Sequence, residues 1–313
     1  MATIPLEAKT TGRVLDRRLV FLLGKGGVGR STLAAALGLL GARSGRRTAV
    51  VEVSGRGDVP RLFGATGRVG VELELTDGVW TLDVDPRVAL EEYLVDQLPL
   101  RTLAEVVGSS NAFGYVAAAT PGLRELLTMG KVWELAQPQR RSPGALPYDL
   151  VIVDAPATGH GLALLAAPRT FADAAGKGPI ARQGAIIAAT LEDRAQTAVL
   201  AVATAEPAAV DEALELRSTL HGRLGAVLIN ALGPERYTSE DRAALEQALA
   251  RSDLDTAARA ALQAAAAEAE AAQRRRSEIG RFDAQTLELP DIGPAPVSRA
   301  GLEFLADRLS AIA

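Results

Sequence analysis

The 313-residue sequence predicts an α/β fold with a doubly wound, mostly parallel sheet of about seven or more strands and helices on both faces. Three observations indicate this fold. Short, nearly continuous apolar runs recur along the chain, as expected for strands that are buried on both faces. Helical patterns separate these runs, which is the order of βαβ units. A glycine-rich loop, GKGGVGRST, joins the first apolar run to the first helical pattern.

The apolar runs that we predict as strands are mostly rich in leucine or β-branched residues. They cover residues 19–23, 48–53, 79–84, 150–153, 198–203, 226–229 and 286–289. Residues 1–16 are predicted to be an N-terminal tail. Residues 17–313 are predicted to form one domain, because a chain of this length can bury one large core.

Two segments interrupt the alternation of strands and helices. Residues 86–147, approximately, are too many for a loop and are predicted to be a helical insert. Within it, PGLRELLTMGKVWELAQ carries an apolar stripe at helical spacing, with Pro121 at the start of the helix. This stripe is suited either to a core or to an apolar groove. The alanine-rich residues 239–276 predict a solvated helix pair, broken near Ser252 and Asp253.

Composition excludes several classes of function. The chain has 38 acidic and 34 basic residues, and a net charge of -4 is too small to attract nucleic acid or an anionic membrane. It has no cysteine, which excludes disulfides, thiolate zinc sites and iron–sulfur clusters. No signal-peptide pattern or uninterrupted apolar run of membrane-spanning length is present. We therefore expect a cytoplasmic protein with no nucleic-acid partner and no stable membrane insertion.

The glycine-rich loop has the outline G-x-x-x-x-G-K-[ST] of a phosphate-binding loop, in the strand–helix setting that the motif requires. Its glycines allow backbone N–H groups to face an anion, and the helix N-terminus adds a partial positive charge. Ser31 is predicted to bind Mg²⁺, and Thr32 a phosphate oxygen of ATP or ADP. The predicted nucleotide-binding residues here are Gly24, Lys25, Gly26, Gly27, Val28, Gly29, Arg30, Ser31 and Thr32.

Arg30 occupies the position at which this motif has lysine. A guanidinium keeps the positive charge, but it is planar, wider than an ammonium and spreads five donors in a fork. Losing one charge-assisted hydrogen bond costs about 1.5 to 3 kcal/mol, so we expect nucleotide binding to persist. Hydrolysis is more sensitive, since a misplacement of about 1 Å at a reacting centre can slow a reaction about a hundredfold.

Two motifs carry a resemblance to a known family. GKGGVGRST, with Lys25 after its first glycine, resembles the deviant phosphate loop K-G-G-x-G-K-[ST] of the dimeric nucleotide switches of the SIMIBI class. VIVDAPATGHGLALL is similar to the switch II motif D-T-A-P-T-G-H of the ArsA branch. That branch holds the arsenite-pump ATPases and the ATPases that target tail-anchored membrane proteins. The chain most resembles its short bacterial members, such as the mycobacterial Bag pair.

The resemblance implies roles for residues outside the loop's glycines. Lys25 would reach the partner's nucleotide across a dimer interface, and Asn230, in INAL, would contact adenine. Asp154 ends a predicted strand, where an α/β sheet binds its ligands, and is predicted to act at Mg²⁺. His160 follows in the same motif, but a lone histidine is more often structural than catalytic. Pro290, after the last predicted strand, is also assigned to the nucleotide site.

The switch I region departs from the family pattern. Aligning LFG, residues 62–64, with the A-F-G of the family places Ser54 where relatives have the aspartate that orients the attacking water. A serine hydroxyl cannot take up a proton as a carboxylate does. Glu52 and Asp58 lie nearby as alternative carboxylates. The predicted catalytic positions are therefore Lys25, Arg30, Ser54 and Asp154.

The expected function is that of an ATP-binding, dimeric ArsA-like or Get-like protein with weak or lost hydrolysis. The implied partner is a second copy or an ArsA-like paralogue, and the helical insert is a candidate site for a protein client. One alternative is a competent Mg²⁺-dependent ATPase that drives a dimer opening and closing switch. Another is a metabolic ligase or kinase on the same fold.

Overall fold

The computed structural model describes residues 13–53, 55–97, 120, 122–141, 144–220, 222–282, 286–293 and 296–313. The strands in these ranges are β1 (Leu19–Leu23), β2 (Thr48–Glu52), β3 (Leu73–Thr76), β4 (Val79–Asp83), β5 (Leu150–Asp154), β6 (Thr197–Thr204), β7 (Leu224–Leu232) and β8 (Thr286–Pro290). They form one sheet in the order β3-β4-β2-β5-β1-β6-β7-β8. All neighbours are parallel except the β3–β4 pair. The predicted doubly wound, mostly parallel sheet is confirmed.

Helices cover both faces of this sheet. They are α1 (Arg30–Arg43), α2 (Asp58–Leu62), α3 (Pro86–Gln97), α4 (Leu123–Leu135), α5 (Thr158–Ala175), α6 (Pro179–Glu192), α7 (Pro207–Leu220), α8 (Ser239–Leu249), α9 (Thr256–Ile279) and α10 (Arg299–Leu309). Every residue of β1, β2 and β5 is buried, which explains why the sequence shows these strands as continuous apolar runs. Among the described helices, none combines the length and hydropathy that spanning a bilayer requires.

Helix α1 lies unusually close to the sheet, and this fixes the position of the loop that precedes it. A Cβ atom added to Gly38 would lie 2.6 Å from Cγ2 of Val50, and one added to Gly41 would lie 2.5 Å from Oγ1 of Thr48. Such contacts exclude any side chain at these two positions unless the helix moves away from the strands.

The sequence prediction missed strand β3. β3 forms an antiparallel hairpin with β4 around Asp77 and Gly78, whose φ is +75°. An Asp-Gly pair is a hairpin signal, but the half-exposed LELT lacks the apolar run used to find strands. Residues 1–12 of the predicted tail lie outside the described ranges. Val14–Asp16, also assigned to the tail, forms a 3-10 turn whose Val14 and Leu15 are buried in the core.

The helical insert is represented by α3 and α4, while residues 98–119 and Pro121 lie outside the described ranges. Helix α4 begins at Leu123, after Gly122. Its Met129, Val132 and Leu135 are fully buried in the main core, so this half of the stripe serves packing. The first half of the helix is more open, and its leucines are only half-buried.

A buried polar network ties the insert to the edge of the sheet. The enclosed guanidinium of Arg140 donates to Oε1 of Glu134 (2.8 Å) and to Oε1 of Glu72 (2.6 Å). The hydroxyl of Tyr148 donates to Oε2 of Glu72 (2.6 Å), and Lys131 pairs with Glu134 (3.3 Å). No local pattern in the sequence predicts this network, because Glu72 lies 68 residues from Arg140 and 76 residues from Tyr148.

Helices α8 and α9 form the predicted broken pair. Thr238 caps α8 by a reciprocal hydrogen-bond pattern with Asp241, and the side chain of Asp255 caps α9 by accepting from the N–H of Ala258 at 2.7 Å. Helix α8 buries no residue, and α9 buries only Ala269 and Ile279. The pair is therefore largely solvated, as its small apolar face predicts.

Candidate nucleotide-binding site

The loop between β1 and α1 is held by glycines at both of its ends. Gly24 has a φ of +155°, and a Cβ atom there would lie 2.1 Å from the carbonyl oxygen of Val202 in β6. Gly29 has a φ of +89°, and a Cβ atom there would lie 2.2 Å from Nδ2 of Asn230. Any side chain at either position would push the loop away from the neighbouring strands, so only glycine is compatible with this path.

The middle of the loop is open to solvent. Lys25, Gly26 and Gly27 are exposed, and Cβ atoms added to the two glycines would meet nothing within 4 Å. Ser31 and Thr32 follow in the first turn of α1, whose N-terminus carries a partial positive charge. The loop therefore offers an anion an uncovered main-chain surface at a helix N-terminus.

Ser31 and Asp154 meet across the base of this loop. Oγ of Ser31 donates to Oδ2 of Asp154 at 2.5 Å. Asp154 is only 5% exposed, and its Oδ1 is buried without a hydrogen-bond partner. Burial raises the pKa of Asp154, and the hydrogen bond from Ser31 opposes that change. A hydroxyl beside a carboxylate with an unused oxygen suits Mg²⁺, which prefers oxygen donors and keeps some of its waters.

Arg30 turns back on its own loop. Its Nη1 donates to the carbonyl oxygen of Gly24 at 2.7 Å, so one arm of the guanidinium fork bonds to the start of the loop. Burial lowers the pKa of Arg30, and the charge of Asp154 opposes that change. The positive charge thus remains near the loop, but part of its hydrogen-bonding capacity is used within it.

Two further acidic residues share the carboxyl edge of the sheet with Asp154. Glu52 ends β2, and its backbone is in register with Asp83 of β4 on one side and with Asp154 of β5 on the other. Oε1 of Glu52 accepts from the N–H groups of Asp58 (2.7 Å) and Val59 (3.2 Å). Glu52 therefore holds the start of α2, while its Oε2 is buried without a partner.

The switch I segment follows Glu52 directly. Ser54 itself lies outside the described residues. The N–H of Gly55 donates to Oδ1 of Asp83 at 3.2 Å, which fixes the segment just after Ser54. The Asp58 carboxylate faces Arg61, with 3.2 Å between Oδ1 and Nη1, rather than Ser31. Glu52 is in register with Asp154, and the charge of Asp58 also contributes to the raised pKa of Asp154.

The two remaining predicted residues lie toward β7 and β8. Nδ2 of Asn230 donates to the carbonyl oxygen of Val28, in the loop, at 2.9 Å. Pro290 is in register with Leu232 and lines a cavity of about 470 Å³ between the ends of β7 and β8 and helix α9. Leu232, Pro234, Ile279 and Pro290 give this cavity an apolar part, and Glu235, Arg275, Arg276 and Glu288 give it a charged part.

Comparison with known proteins supports the assignment that these motifs suggested. The model of the anion-transporting ATPase (ArsA) family matches residues 17–178, a span that contains the phosphate loop, Asp154 and all of α5. The chain belongs to the anion-transporting ATPase family. The match ends before β7, so Asn230 and Pro290 lie outside it.

Several relatives agree with this assignment. ATPase BagA of Mycobacterium tuberculosis is 32% identical over 240 residues, which cover 74% of this chain and 70% of BagA. ATPase GET3 of Chaetomium globosum is 26% identical over 174 residues, which cover 54% of this chain and 48% of that protein. ATPase ASNA1 homolog 1 of Paramecium tetraurelia is 27% identical over 158 residues, or 48% of this chain and 43% of that protein. The feature that this chain shares with these three proteins is therefore an ArsA-like ATPase domain.

The residues after Asp154 differ in which side chains face inward. His160 is exposed in the first turn of α5, and nothing in its described surroundings suggests a catalytic role. Thr158, two residues earlier, is buried, and its Oγ1 has no hydrogen-bond partner among the described residues. The sequence analysis did not single out this hydroxyl, although its place after Asp154 in the motif was a signal. His221 lies outside the described residues.

In the described ranges, no three carboxylate or imidazole side chains converge on a position that would hold a metal ion alone. A Mg²⁺ ion at Ser31 and Asp154 would therefore need oxygen donors from water or phosphate as well. This requirement matches the way Mg²⁺ binds in nucleotide-hydrolysing proteins, through one or two protein ligands together with substrate phosphates.

Replacing Glu52 with glutamine is expected to stabilise the protein at pH 8 and to have little effect at pH 5. Burial raises the pKa of Glu52 from 4.5 to about 7, although the hydrogen bonds that it accepts from two backbone N–H groups act to lower it. Because the folded-state pKa lies above the unfolded value, the favourable contribution of protonated Glu52 is full below pH 4.5 and is lost as the pH rises through 7. Ionisation of Glu52 is therefore expected to lower the free energy of unfolding by about 1 to 3 kcal/mol.

Urea unfolding of Glu52→Gln and of the wild type at both pH values measures this difference. Glutamine keeps the acceptor oxygen but cannot ionise, so the gain should appear only at pH 8. The control is Glu246→Gln, which changes an exposed residue of α8 and should give no such gain. A gain of the same size at both pH values would contradict the assignment to ionisation.

Proposed function

We propose that this chain binds ATP together with Mg²⁺ at the loop of residues 24–32, and that it acts as a nucleotide-dependent switch. The observation that carries the proposal is the hydrogen bond between Ser31 and Asp154 beneath an uncovered glycine loop. The unused Oδ1 of Asp154 and the open main-chain surface supply the two features that a metal-bound phosphate needs. ADP would occupy the same site.

The adenine base is proposed to lie on the side of the loop that faces β7 and β8. Pro290 and Leu232 give the nearby cavity an apolar surface at the carboxyl ends of two parallel strands. Cofactor sites in open α/β sheets form at this edge. Arg275 also lines the cavity and could meet polar groups of a nucleotide, whereas Arg276 is already paired with Glu235 and Glu288.

Hydrolysis is proposed to be slow. Arg30 supplies a guanidinium in place of the lysine of the motif, and one of its arms is bonded to Gly24. Ser54 supplies a hydroxyl where relatives have a carboxylate, so the attacking water lacks its usual base. The residues that would bind the metal and the phosphates are intact, so binding and turnover are affected differently.

A dimer is proposed as the working form, made with a second copy or with an ArsA-like paralogue. Lys25 supports this proposal because it is exposed at the outer part of the loop, where it can meet another chain. A protein client at the insert is supported by the half-buried leucines in the first half of α4. Nucleic acid is not proposed as a partner, since the chain has a net charge of -4.

Calorimetric titration of ATP into the purified chain, with Mg²⁺ and then with EDTA, tests the proposed function. Asp154→Asn is expected to weaken Mg²⁺-dependent ATP binding about tenfold to a hundredfold, because one charge-assisted interaction is lost. In EDTA the variant and the wild type should bind ATP with similar affinity. The matched control is Asp149→Asn, which removes an exposed carboxylate just before the opposite end of β5.

Two different negative results would count against different parts of the proposal. An absence of ATP binding by the wild type at millimolar concentration would overturn the proposed function. Equal losses for the Asp154 and Asp149 variants would show that Asp154 does not act at the metal. Light scattering with and without nucleotide, compared with Lys25→Ala, tests the dimer separately.

A further inference from the structure

Asn230 holds the far arm of the phosphate loop against the sheet. Its Nδ2 donates to the carbonyl oxygen of Val28, 202 residues earlier in the chain, in a buried hydrogen bond of 2.9 Å. The same nitrogen lies so close to Gly29 that a Cβ atom there would be 2.2 Å away. The amide of Asn230 is thus in contact with two consecutive loop residues.

The two arms of the loop are fixed by different elements. The first arm, at Gly24, is in close contact with the carbonyl oxygen of Val202 and accepts from Arg30. The second arm, at Val28 and Gly29, is joined to β7 by the side chain of Asn230. The carbonyl of Val28 is bonded from outside the loop, so its position depends on where β7 places that side chain.

The backbone of β7 is distorted immediately after Asn230. Ala231 has a φ of +56°, and it is the only residue other than glycine with a positive φ in the described part of the chain. The pairing with β8 shifts register between Ile229 and Leu232. In a regular strand, residues 230 and 232 would point to the same side. The left-handed residue breaks this alternation, so that Asn230 can face the loop while Leu232 lines the cavity.

A residue other than glycine is strained in this left-handed conformation, and such outliers concentrate at functional sites. Ala231 lies between Asn230, which contacts the loop, and Leu232, which lines the cavity proposed for the base. Its position argues that the direction of the Asn230 side chain matters to the site.

We infer that Asn230 is a positioning residue for the phosphate loop, and that its main effect on binding reaches the phosphates through Val28 and Gly29. The inference rests on the proposed nucleotide function and refines it. The family resemblance assigned Asn230 to adenine. In this chain one N–H of its amide is bonded to the loop, so a base could be contacted only by the second N–H or by Oδ1.

The two roles differ in how binding depends on the base. A residue that shapes the loop affects every ligand with a triphosphate, whereas a residue that reads adenine affects only ligands that carry the base. We therefore compare the binding of Mg-ATP with that of Mg-tripolyphosphate, which has the phosphates alone. The variants are Asn230→Ala and Asn230→Asp, with Leu232→Ala as the comparison for the cavity.

Asn230→Ala is expected to weaken binding of both ligands by a similar factor of about ten, and Asn230→Asp by more, since a carboxylate would face the Val28 carbonyl. Leu232→Ala is expected to weaken ATP but not tripolyphosphate. Weaker ATP binding by Asn230→Ala, with unchanged tripolyphosphate binding, would overturn the inference. If Asn230→Ala does not fold, Asn230→Ser, which keeps a shorter donor, replaces it with the same outcomes.

Hydrogen exchange of the nucleotide-free chain gives a second readout that needs no ligand. The amides of residues 28–33 should exchange several-fold faster in Asn230→Ala than in the wild type, while those of β1 and β5 stay the same. Unchanged exchange in the loop would overturn the inference even if ATP binding falls. A wild type that binds neither ligand contradicts the proposed function, whereas the exchange result still decides whether Asn230 positions the loop.

Discussion

Replacing Arg30 with lysine and Ser54 with aspartate in the same chain is expected to raise the rate of ATP hydrolysis at least about a hundredfold. Lysine cannot form the bond that a guanidinium arm makes to Gly24 with the same geometry, and it places a compact ammonium beside the phosphates. Aspartate at position 54 restores a carboxylate next to Gly55, which the Asp83 side chain already fixes. Single-turnover release of phosphate measures the effect.

The single variants reveal whether the two positions serve one step. If the ammonium and the carboxylate act in the same transition state, each single reversal should raise the rate of hydrolysis only slightly. The double variant should then raise it by much more than the product of the two single increases. The affinity for ATP should change less than the rate, because the loop glycines, Ser31 and Asp154 are the same in all four proteins. A rate gain matched by an equal gain in affinity would instead point to uniform tightening of binding.

The control applies the same chemical changes away from the site. Arg46→Lys and Ser252→Asp alter a partly exposed arginine after α1 and a serine in the exposed break between α8 and α9. This pair should leave hydrolysis unchanged. If the Arg30 and Ser54 reversal also leaves the rate unchanged while ATP still binds, the slow step is not explained by these two positions. Glu52, buried beside Asp154, would then be the carboxylate to test.

The parts of the fold that the sequence predicted are those with local signals. Strands β1, β2 and β5 are apolar along most of their length, and the phosphate loop is defined by a run of consecutive residues that includes Gly24 and Ser31. The meeting of Ser31 with Asp154 was also predictable. Asp154 ends β5, Ser31 follows the loop after β1, and the carboxyl ends of parallel strands share one edge.

The parts that were missed depend on contacts between distant residues. Asn230 was assigned to adenine from the motif alone, and nothing in its neighbours along the chain indicates that its amide faces Val28. The burial of Arg140 and Glu72 could not be predicted, because charged residues are mostly exposed. A charged residue that is buried against a remote partner cannot be told from an exposed one by its neighbours in the sequence. β3 was missed because an edge strand needs only a half-buried face.

Replacing Arg140 with alanine is expected to lower the free energy of unfolding by about 3 to 5 kcal/mol. The Arg140 side chain is fully enclosed (0% exposed), and that of Glu134 is 5% exposed. Burial alone would lower the pKa of Arg140, but its hydrogen bonds to Glu72 and Glu134 outweigh that effect and raise the pKa. Without the guanidinium, the Glu134 carboxylate keeps only Lys131 and one backbone N–H nearby among the described residues. Urea unfolding measures the loss.

The control for this prediction is a surface pair of the same chemistry. Arg169 and Glu192 make a contact of 2.6 Å, with side chains that are 47% and 45% exposed. Arg169→Ala should therefore change the free energy of unfolding by no more than about 1 kcal/mol, because exposed ion pairs contribute little. A similar small loss for Arg140→Ala would show that water reaches the network and that it does not hold the insert to the edge of the sheet.

A neutral version of the network separates the cost of an unpaired charge from the value of the pair. Arg140→Met combined with Glu134→Gln and Glu72→Gln removes the guanidinium and both of its carboxylate partners, while Lys131 keeps its ion pair with Glu92. The new amide oxygen at position 72 can still accept from the hydroxyl of Tyr148. Buried ion pairs replaced by groups of similar volume are often close to neutral in stability. We expect the triple variant to recover most of the stability that Arg140→Ala loses. If it is as unstable as Arg140→Ala, the network stabilises the fold through its specific hydrogen bonds, and the charge left behind is not the cause.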